Sequence, residues 1–501
     1  MPVAQLPPGP TEAKFIQALK MGIGIYDYLE ECHQKYGDAF TLNLSGLDPM
    51  VWVKDKEMVK DFFNLKPEQL NQSTLPIPID IGDNSVGFIT NREHMETRKI
   101  VVPPFVGKRL KDRAEAMHQI ISREIDRMKP GDEYDMPRLI GSITLNIIVY
   151  TLLNEMDGER FHRYHDLMLE WIQSSTNDAM FLIGTLYGPS KYRNMLHRKY
   201  RERALEGKTA SVVDKLMPWN KSIDIKVKIA HQIREDIRAI RANPDGKEGV
   251  LAGYALATWS SGELLDEEKV IGEVMSALVG GHETSAATGA WYMLWLLKKP
   301  HIYKKMRQEV LQSIEENGRF DPIAITENKY LNACLNESQR LTPSAVGTMR
   351  HLVADTKIGS LYLPADTNVL AGAYLRHRDQ DTWGDDVMEY RPERWLEEDG
   401  FKPGPFDFFP FGGGRRACIG SNQAKQQLRI LFAEFARRVE FDSKYAMNNK
   451  WPGQQQVSGQ TEPKGGVPVT IKEVRPTNFG YPESDKKPEQ PEQKVTKLAT
   501  A

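Results

Sequence analysis

The chain holds 501 residues with 66 Lys and Arg against 68 Asp and Glu, a formal net charge of -2 that gives no electrostatic case for a nucleic-acid partner. Its hydrophobic content of 40% with 27% charged residues is globular, and its three scattered cysteines, Cys32, Cys334 and Cys418, form no C-x-x-C pair. Neither a disulfide scaffold nor a cysteine-rich zinc site is expected, and the usage suits a reducing compartment.

Met1 to Pro10 shows neither a charged n-region nor an apolar h-region, so no targeting segment is expected. Phe40, Leu42 and Leu44 alternate with polar residues, and Val51-Trp52-Val53 follows the turn residues Gly46, Asp48 and Pro49, which predicts a hairpin. From about residue 92 to 300 the pattern is mostly helical, broken near Pro130-Gly131, Gly188-Pro189 and Asn243-Pro244. Leu139 to Leu153 is the most apolar window. Ser142, Thr144, Asn146 and Thr151 interrupt the roughly 18 to 20 apolar residues a bilayer span needs, so it reads as a buried core helix.

Residues 266–299 predict one helix of about 45 Å, ended by Pro300, with Asp266, Glu267 and Glu268 at its start and Lys298 and Lys299 at its end. Its middle, Gly280-Gly281-His282-Glu283-Thr284-Ser285, should weaken the backbone ladder and open a bulge or groove. Strand-like alternation returns over Lys357 to Ala373 with a turn at Pro364-Ala365-Asp366, and helical periodicity over Ala424 to Phe435. The fold class is mainly α with small β-sheets. One domain is expected over residues 1–475, with a disordered Pro/Glu/Gln/Lys-rich tail over 476–501.

Phe411-Gly412-Gly413-Gly414-Arg415-Arg416-Ala417-Cys418-Ile419-Gly420 precedes the last helix. Consecutive glycines let backbone N–H groups turn inward, and Cys418 falls just before a helix N-terminus; both favour a thiolate. A lone cysteine beside a loop is more often inert. Here the glycines, two arginines and Phe411 make a poor packing solution and a good site for an anionic, planar partner.

Phe411, Gly414, Arg416, Cys418 and Gly420 match F-x-x-G-x-R-x-C-x-G, and on them the chain resembles the cytochrome P-450 haem-thiolate monooxygenases, in particular soluble bacterial members. The resemblance implies a triangular helical prism enclosing haem b (iron protoporphyrin IX). It makes Cys418 the axial iron ligand, puts Arg416 on a propionate and Phe411 near the sulfur, and implies a thiolate that drives O–O cleavage. Gly280 to Thr284 looks like the family's [AG]-G-x-[DE]-T motif, which implies a distal hydroxyl at Thr284 and a proton relay through Glu283; His282 fills the variable position and takes no role.

Glu337-Ser338-Gln339-Arg340 is an i,i+3 pair of a kind ordinarily worth tenths of a kcal/mol. Pro392-Glu393-Arg394-Trp395 resembles P-E-R-[FW], which implies instead that Glu337, Arg340 and Arg394 form a buried structural network. His94 to Arg98, with Phe105 beyond, resembles the [WH]-x-x-x-R helix, so His94 and Arg98 are expected to bind propionates, and Arg350 is expected as a further contact.

The basic stretch Arg92 to Arg113, with Arg415, is placed by the resemblance where electrons enter. Too few residues follow Cys418 for a flavin or nicotinamide domain, so a separate ferredoxin or flavodoxin-type donor with its reductase is implied. The pocket is assigned to Leu75, Ile77, Ile79, Ile81, Val86 and Phe88, to Met180-Phe181-Leu182, to Ala345-Val346-Gly347 and to a turn near Val457. These suit a fatty acid, terpenoid or steroid-like molecule, with no charged anchor singled out. The expected protein is a monomeric, cytoplasmic monooxygenase with no transmembrane anchor, although Leu6-Pro7-Pro8-Gly9-Pro10 resembles the hinge that follows the anchor of microsomal members. Two alternatives stand beside it. A haem-thiolate isomerase or dehydratase acting on peroxides has no need of the Glu283-Thr284 relay, and a haem-binding sensor needs neither relay nor roomy pocket.

Overall fold

The long helix forms over Glu267–Lys298 because both of its ends are specified. Asp266 caps it, accepting the Lys269 N–H at 2.8 Å, and Glu267 and Glu268 place negative charge at the positive end of the dipole. Pro300 ends it by opening the next helix, Pro300–Asn317. The computed structural model describes residues 3–71, 79–176, 178–396, 402–445, 451–457 and 459–482, without the side chains of residues 178, 181, 182 and 185. Of the predicted pocket residues, Leu75, Ile77 and the side chains of Phe181 and Leu182 lie outside this description.

The bulge expected at Gly280 to Ser285 does not form. Thr284 Oγ1 donates to the Gly280 carbonyl at 2.7 Å, but the helix stays α throughout, and the groove there arises from absent side chains alone. Glycines also set the distance to the helix Met136–Leu153: a Cβ on Gly281 or Gly289 would come 2.9 Å from Ile148 or Ile140. This second helix is long and apolar enough to cross a membrane, but 72% of it is buried, as its interrupted hydrophobicity predicts.

The N-terminal hairpin pairs Ala39–Leu42 with Met50–Val53, placing Phe40 opposite Trp52. Met50–Val53 then takes Asn368–Ala371 in parallel, and Thr348–His351 completes a four-stranded sheet. Arg350 therefore reaches its site from the far side of this sheet's parallel join. A separate hairpin pairs Thr356–Ile358 with Leu361–Leu363, and Asp366, at φ 56°, turns the chain where a turn is predicted. A small core of Val51, Val53, Phe62, Val369 and Phe409 lies by the four-stranded sheet, and the main core takes residues from Ile25 through Ile471.

The last helix, Ser421–Arg438, leads to a three-stranded sheet of Glu133–Asp135, Pro468–Val474 and Val439–Asp442. Residues 476–482, assigned above to the tail, are held against this helix. The buried Arg437 guanidinium needs acceptors, and donates to the carbonyls of Thr477 and Phe479 at 2.8 and 2.7 Å. The rest of the predicted tail, 483–501, lies outside the described residues.

Candidate active site

Gly412 and Gly414 stand at φ 65° and 63°, a left-handed conformation in which a side chain is strained. A Cβ on Gly414 would also strike the Phe63 carbonyl oxygen at 2.4 Å. The loop is closed by the Cys418 N–H donating to the Phe411 carbonyl at 2.9 Å. Cys418 is thereby placed on the wall of a cavity of about 460 Å³. Of the three cysteines it alone exposes surface, and what it exposes faces the cavity, whereas Cys32 and Cys334 are packed away.

Burial raises the Cys418 thiol above its ordinary value; the N–H groups of Gly420 and Ser421 and the charges of Arg98 and Lys425 pull the other way and do not overcome it. The donors expected from the loop and the helix end therefore act in the predicted direction without outweighing burial. The missing stabilisation is what a metal cation bonded to sulfur provides. Phe411 lines the cavity near the cysteine, with Lys425 Nζ 5.0 Å from its ring centroid.

Four cationic or basic groups line the same cavity: His94 and Arg98 from the helix Asn91–Val101, Arg350 from its strand, and Arg416 from the cysteine loop. Arg98 donates to the Ala417 carbonyl at 2.8 Å, Arg416 to Ile89 at 2.6 Å and Arg350 to its neighbour Met349 at 2.8 Å. Among the described residues, none of the three arginines is ion-paired with a carboxylate. Burial, then the charge of Arg416, pulls Arg350 down to about 9; burial, then Arg98, pulls Arg416 down to about 10. Burial and the same arginines hold His94 neutral, at about 3. Crowded cations without counter-charge fit a bound group carrying carboxylates, as haem does.

The facing wall is the long helix, through Glu273, Ser276, Ala277, Gly280, Gly281, Thr284, Ser285 and Thr288. Thr284 borders the cavity with its hydroxyl turned to Gly280; Glu283 does not border it. His282 faces away, its Cε1 3.1 Å from where a Cβ on Gly141 would stand, and burial lowers it to about 4.

Glu337, Arg340 and Arg394 come together as expected, fully buried. Arg340 grips Glu337 through Nε and Nη2, both at 2.9 Å, and Arg394 Nε reaches Oε1 at 2.9 Å. Sequence reasoning missed two side-chain partners. Trp395 Nε1 donates to Glu337 Oε2 at 2.8 Å, and Asp386 pairs with Arg394 at 3.1 Å. Trp395 stands inside the matched P-E-R-W segment, and its indole N–H, a donor with no acceptor role, was the available signal.

The predicted pocket walls divide. Val86, Ala345 and, from the turn expected near Val457, Gln460 line the cavity, with Gly87, Tyr254 and Ile148 that were not foreseen. Phe88 instead lies under the Arg193 guanidinium at 4.1 Å, Ile79 and Met180 border a separate small void, and Gly347 packs against Trp52 and Ala371. Val346 and Val457 are not on the wall. In the basic stretch, Arg92, Lys99, Lys108, Arg109 and Lys111 are exposed, as is Arg415, while Arg98 and Arg113 turn inward.

A cysteine sulfur open to a cavity with cationic walls, opposite a helix bearing a hydroxyl, fits a haem protein whose iron would meet the sulfur and whose propionates would meet the arginines. The Cytochrome P-450 family model matches residues 7–466. Cytochrome P-450 135B1 of Mycobacterium tuberculosis is 25% identical over 442 residues, 87% of this chain and 86% of that protein. Echinocystic acid 23-monooxygenase of Saponaria officinalis is 24% identical over 433 residues, 83% of this chain and 79% of that one. A solved structure, retinoic acid bound cyanobacterial CYP120A1, shares the fold with a TM-score of 0.77 at 18% identity, over 94% of this chain and 100% of its own. The chain belongs to the cytochrome P-450 family: it is a monooxygenase with haem b as its cofactor.

Proposed function

We propose that this enzyme hydroxylates or epoxidises a hydrophobic fatty acid, terpenoid or steroid-like molecule, taking electrons from a separate ferredoxin or flavodoxin-type donor and its reductase. One domain over residues 1–475, extended by the segment to 482, would carry the whole site. The observation behind this reading is that Cys418, the unpaired arginines and the Gly280–Thr284 face of the long helix all border one cavity.

When bound, haem b supplies an iron centre that activates O2 under the push of a thiolate. Cys418 Sγ would hold the iron, and Gly414 and Gly420 would keep its loop close. His94, Arg98, Arg350 and Arg416 would hold the propionates, His94 through a ring N–H. Phe411 would keep water from the sulfur. Thr284 would release the Gly280 carbonyl and hold a proton or a water at the distal side, and Glu283 would pass protons to it. Glu337, Arg340 and Arg394 would fix the core on which the site rests.

Reduction under carbon monoxide tests the core of the proposal. The expected result is a red-shifted Soret band that disappears in Cys418→Ala; an unshifted band in the parent protein would sink it. With a surrogate ferredoxin and reductase, Thr284→Ala should keep the haem and divert most reducing equivalents to peroxide. Tight coupling in that variant removes Thr284 from proton delivery.

A further inference from the structure

Glu273 is 2% exposed and forms a buried ion pair with Lys269 that leaves one of its oxygens without a hydrogen bond. It lines the cavity, and its Oε1 accepts no hydrogen bond among the described residues. Lys269 Nζ lies 3.2 Å from that oxygen, but directs its hydrogen bonds to the Asn84 carbonyl and to Glu93. The hydroxyl of Tyr254, also on the wall, is committed to the Val101 carbonyl at 3.2 Å. A buried acceptor left open at a cavity wall is costly unless something else fills the need.

Position shows what could. Glu273, Ala277, Gly280 and Thr284 recur at spacings of three and four, which is one face of a helix, and all four border the cavity. From Glu273 to Thr284 is about 16 Å along the axis at 1.5 Å per residue. Val86, Val101 and Phe105 contribute apolar surface to the same cavity.

We infer that Glu273 anchors a hydroxyl at the far end of an elongated apolar substrate, leaving the opposite end beside Thr284 to be oxidised. The inference rests on the monooxygenase reading and names the substrate that reading leaves open. A hydroxyl is favoured by elimination. A substrate carboxylate would stand against Glu273 while Lys269 is already shared with Glu93, and an ammonium would stand against Lys269; a hydroxyl donates to Oε1 and adds no charge.

The test titrates holoenzyme with 1-dodecanol, its methyl ether and dodecanoic acid, following the Soret shift and the heat of binding on the same samples. The alcohol should bind about 10-fold or more tighter than the ether, which lacks only the donor proton, and tighter than the acid. Glu273→Leu should erase that preference. Because it strands Lys269, the double variant Lys269→Met/Glu273→Leu, which leaves neither charge, is measured beside it and should erase the preference with the fold intact. Equal binding of alcohol and ether, tightest binding of the acid, or an alcohol preference that survives in the double variant each overturns the anchor. The carbon monoxide band separates the two failures: an unshifted band in the parent enzyme sinks the monooxygenase reading, while a shifted band with no headgroup preference sinks only the anchor.

Discussion

Two of the groups of arginines taken out of bulk water in this molecule are solved in opposite ways. Around Glu337, Arg340 and Arg394 share one carboxylate that also receives the Arg391 N–H at 3.0 Å and the Trp395 indole, and Arg340 spends its remaining donors on the carbonyls of His377 and Glu389. At the cavity, Arg98, Arg350 and Arg416 meet backbone carbonyls and each other. A cluster that satisfies its own charge is structure. One that is left cationic is a place for an anion, because burial of like charges is sustained only by a partner that arrives.

Breaking the closed cluster should do the most damage. Glu337→Ala leaves the buried Arg340 guanidinium uncompensated and Arg394 with Asp386 alone, and should cost about 3 to 5 kcal/mol in urea unfolding of the haem-free protein. A loss below about 1 kcal/mol would show that the network contributes little. The open cluster should answer in the reverse sense. Arg350→Leu and Arg416→Leu relieve crowding, so the haem-free protein should be as stable as the parent or more so, while haem should be lost about 10 to 100 times faster to an apo-myoglobin acceptor, the worth of a charge-assisted contact. If these variants weaken the haem-free protein as much as Glu337→Ala does, the distinction between the clusters fails.

His282 is an intermediate case, buried and unpaired but able to shed its charge. Its Nδ1 has no partner among the described residues, and burial lowers it from 6.5 to about 4. The unfolded chain takes up a proton below about 6.5 while the folded protein refuses it until about 4. Stability is therefore complete above 6.5 and falls as the pH drops toward 4, by about 2 kcal/mol at pH 5 from this residue alone. Unfolding midpoints of His282→Leu across that range should fall less steeply than the parent's; parallel curves would mean that the proton goes elsewhere.

Both clusters were partly legible in the sequence, and the part that was not follows from distance. Cys418, Arg416 and the glycines between Phe411 and Gly420 lie within one short loop, so their spacing carries their geometry. The caps of the long helix, Asp266 and Pro300, are local in the same way. Asp386 beside Arg394 and the carbonyl of His377 on Arg340 depend on how separate turns stack, which no local pattern states. Glu273 was passed over for the same reason: on a helix of apolar and charged residues, only the position of the Asn84–Val86 segment decides that it is buried. At Cys418 the local donors are present as the spacing predicts, and what no local pattern states is that burial by the surrounding protein outweighs them.

The smallest structural effect is expected where cations are unpaired and exposed. Lys108, Arg109 and Lys111 sit on the short helix Gly107–Lys111, open to water, and among the described residues only Glu327, itself exposed, approaches them, at 4.0 Å from Lys111. Water solvates such charges, so lacking a partner there carries none of the meaning it has at Arg350. Reversing all three should change stability by no more than about 0.5 kcal/mol. If an acidic donor docks on this face, the same variant should slow electron transfer and flatten its dependence on salt, because long-range attraction between exposed charges is what salt screens. Stopped-flow reduction across ionic strengths decides it: an unchanged rate and salt slope would remove this surface from electron entry and leave the buried arginines as the cations with a demonstrable task.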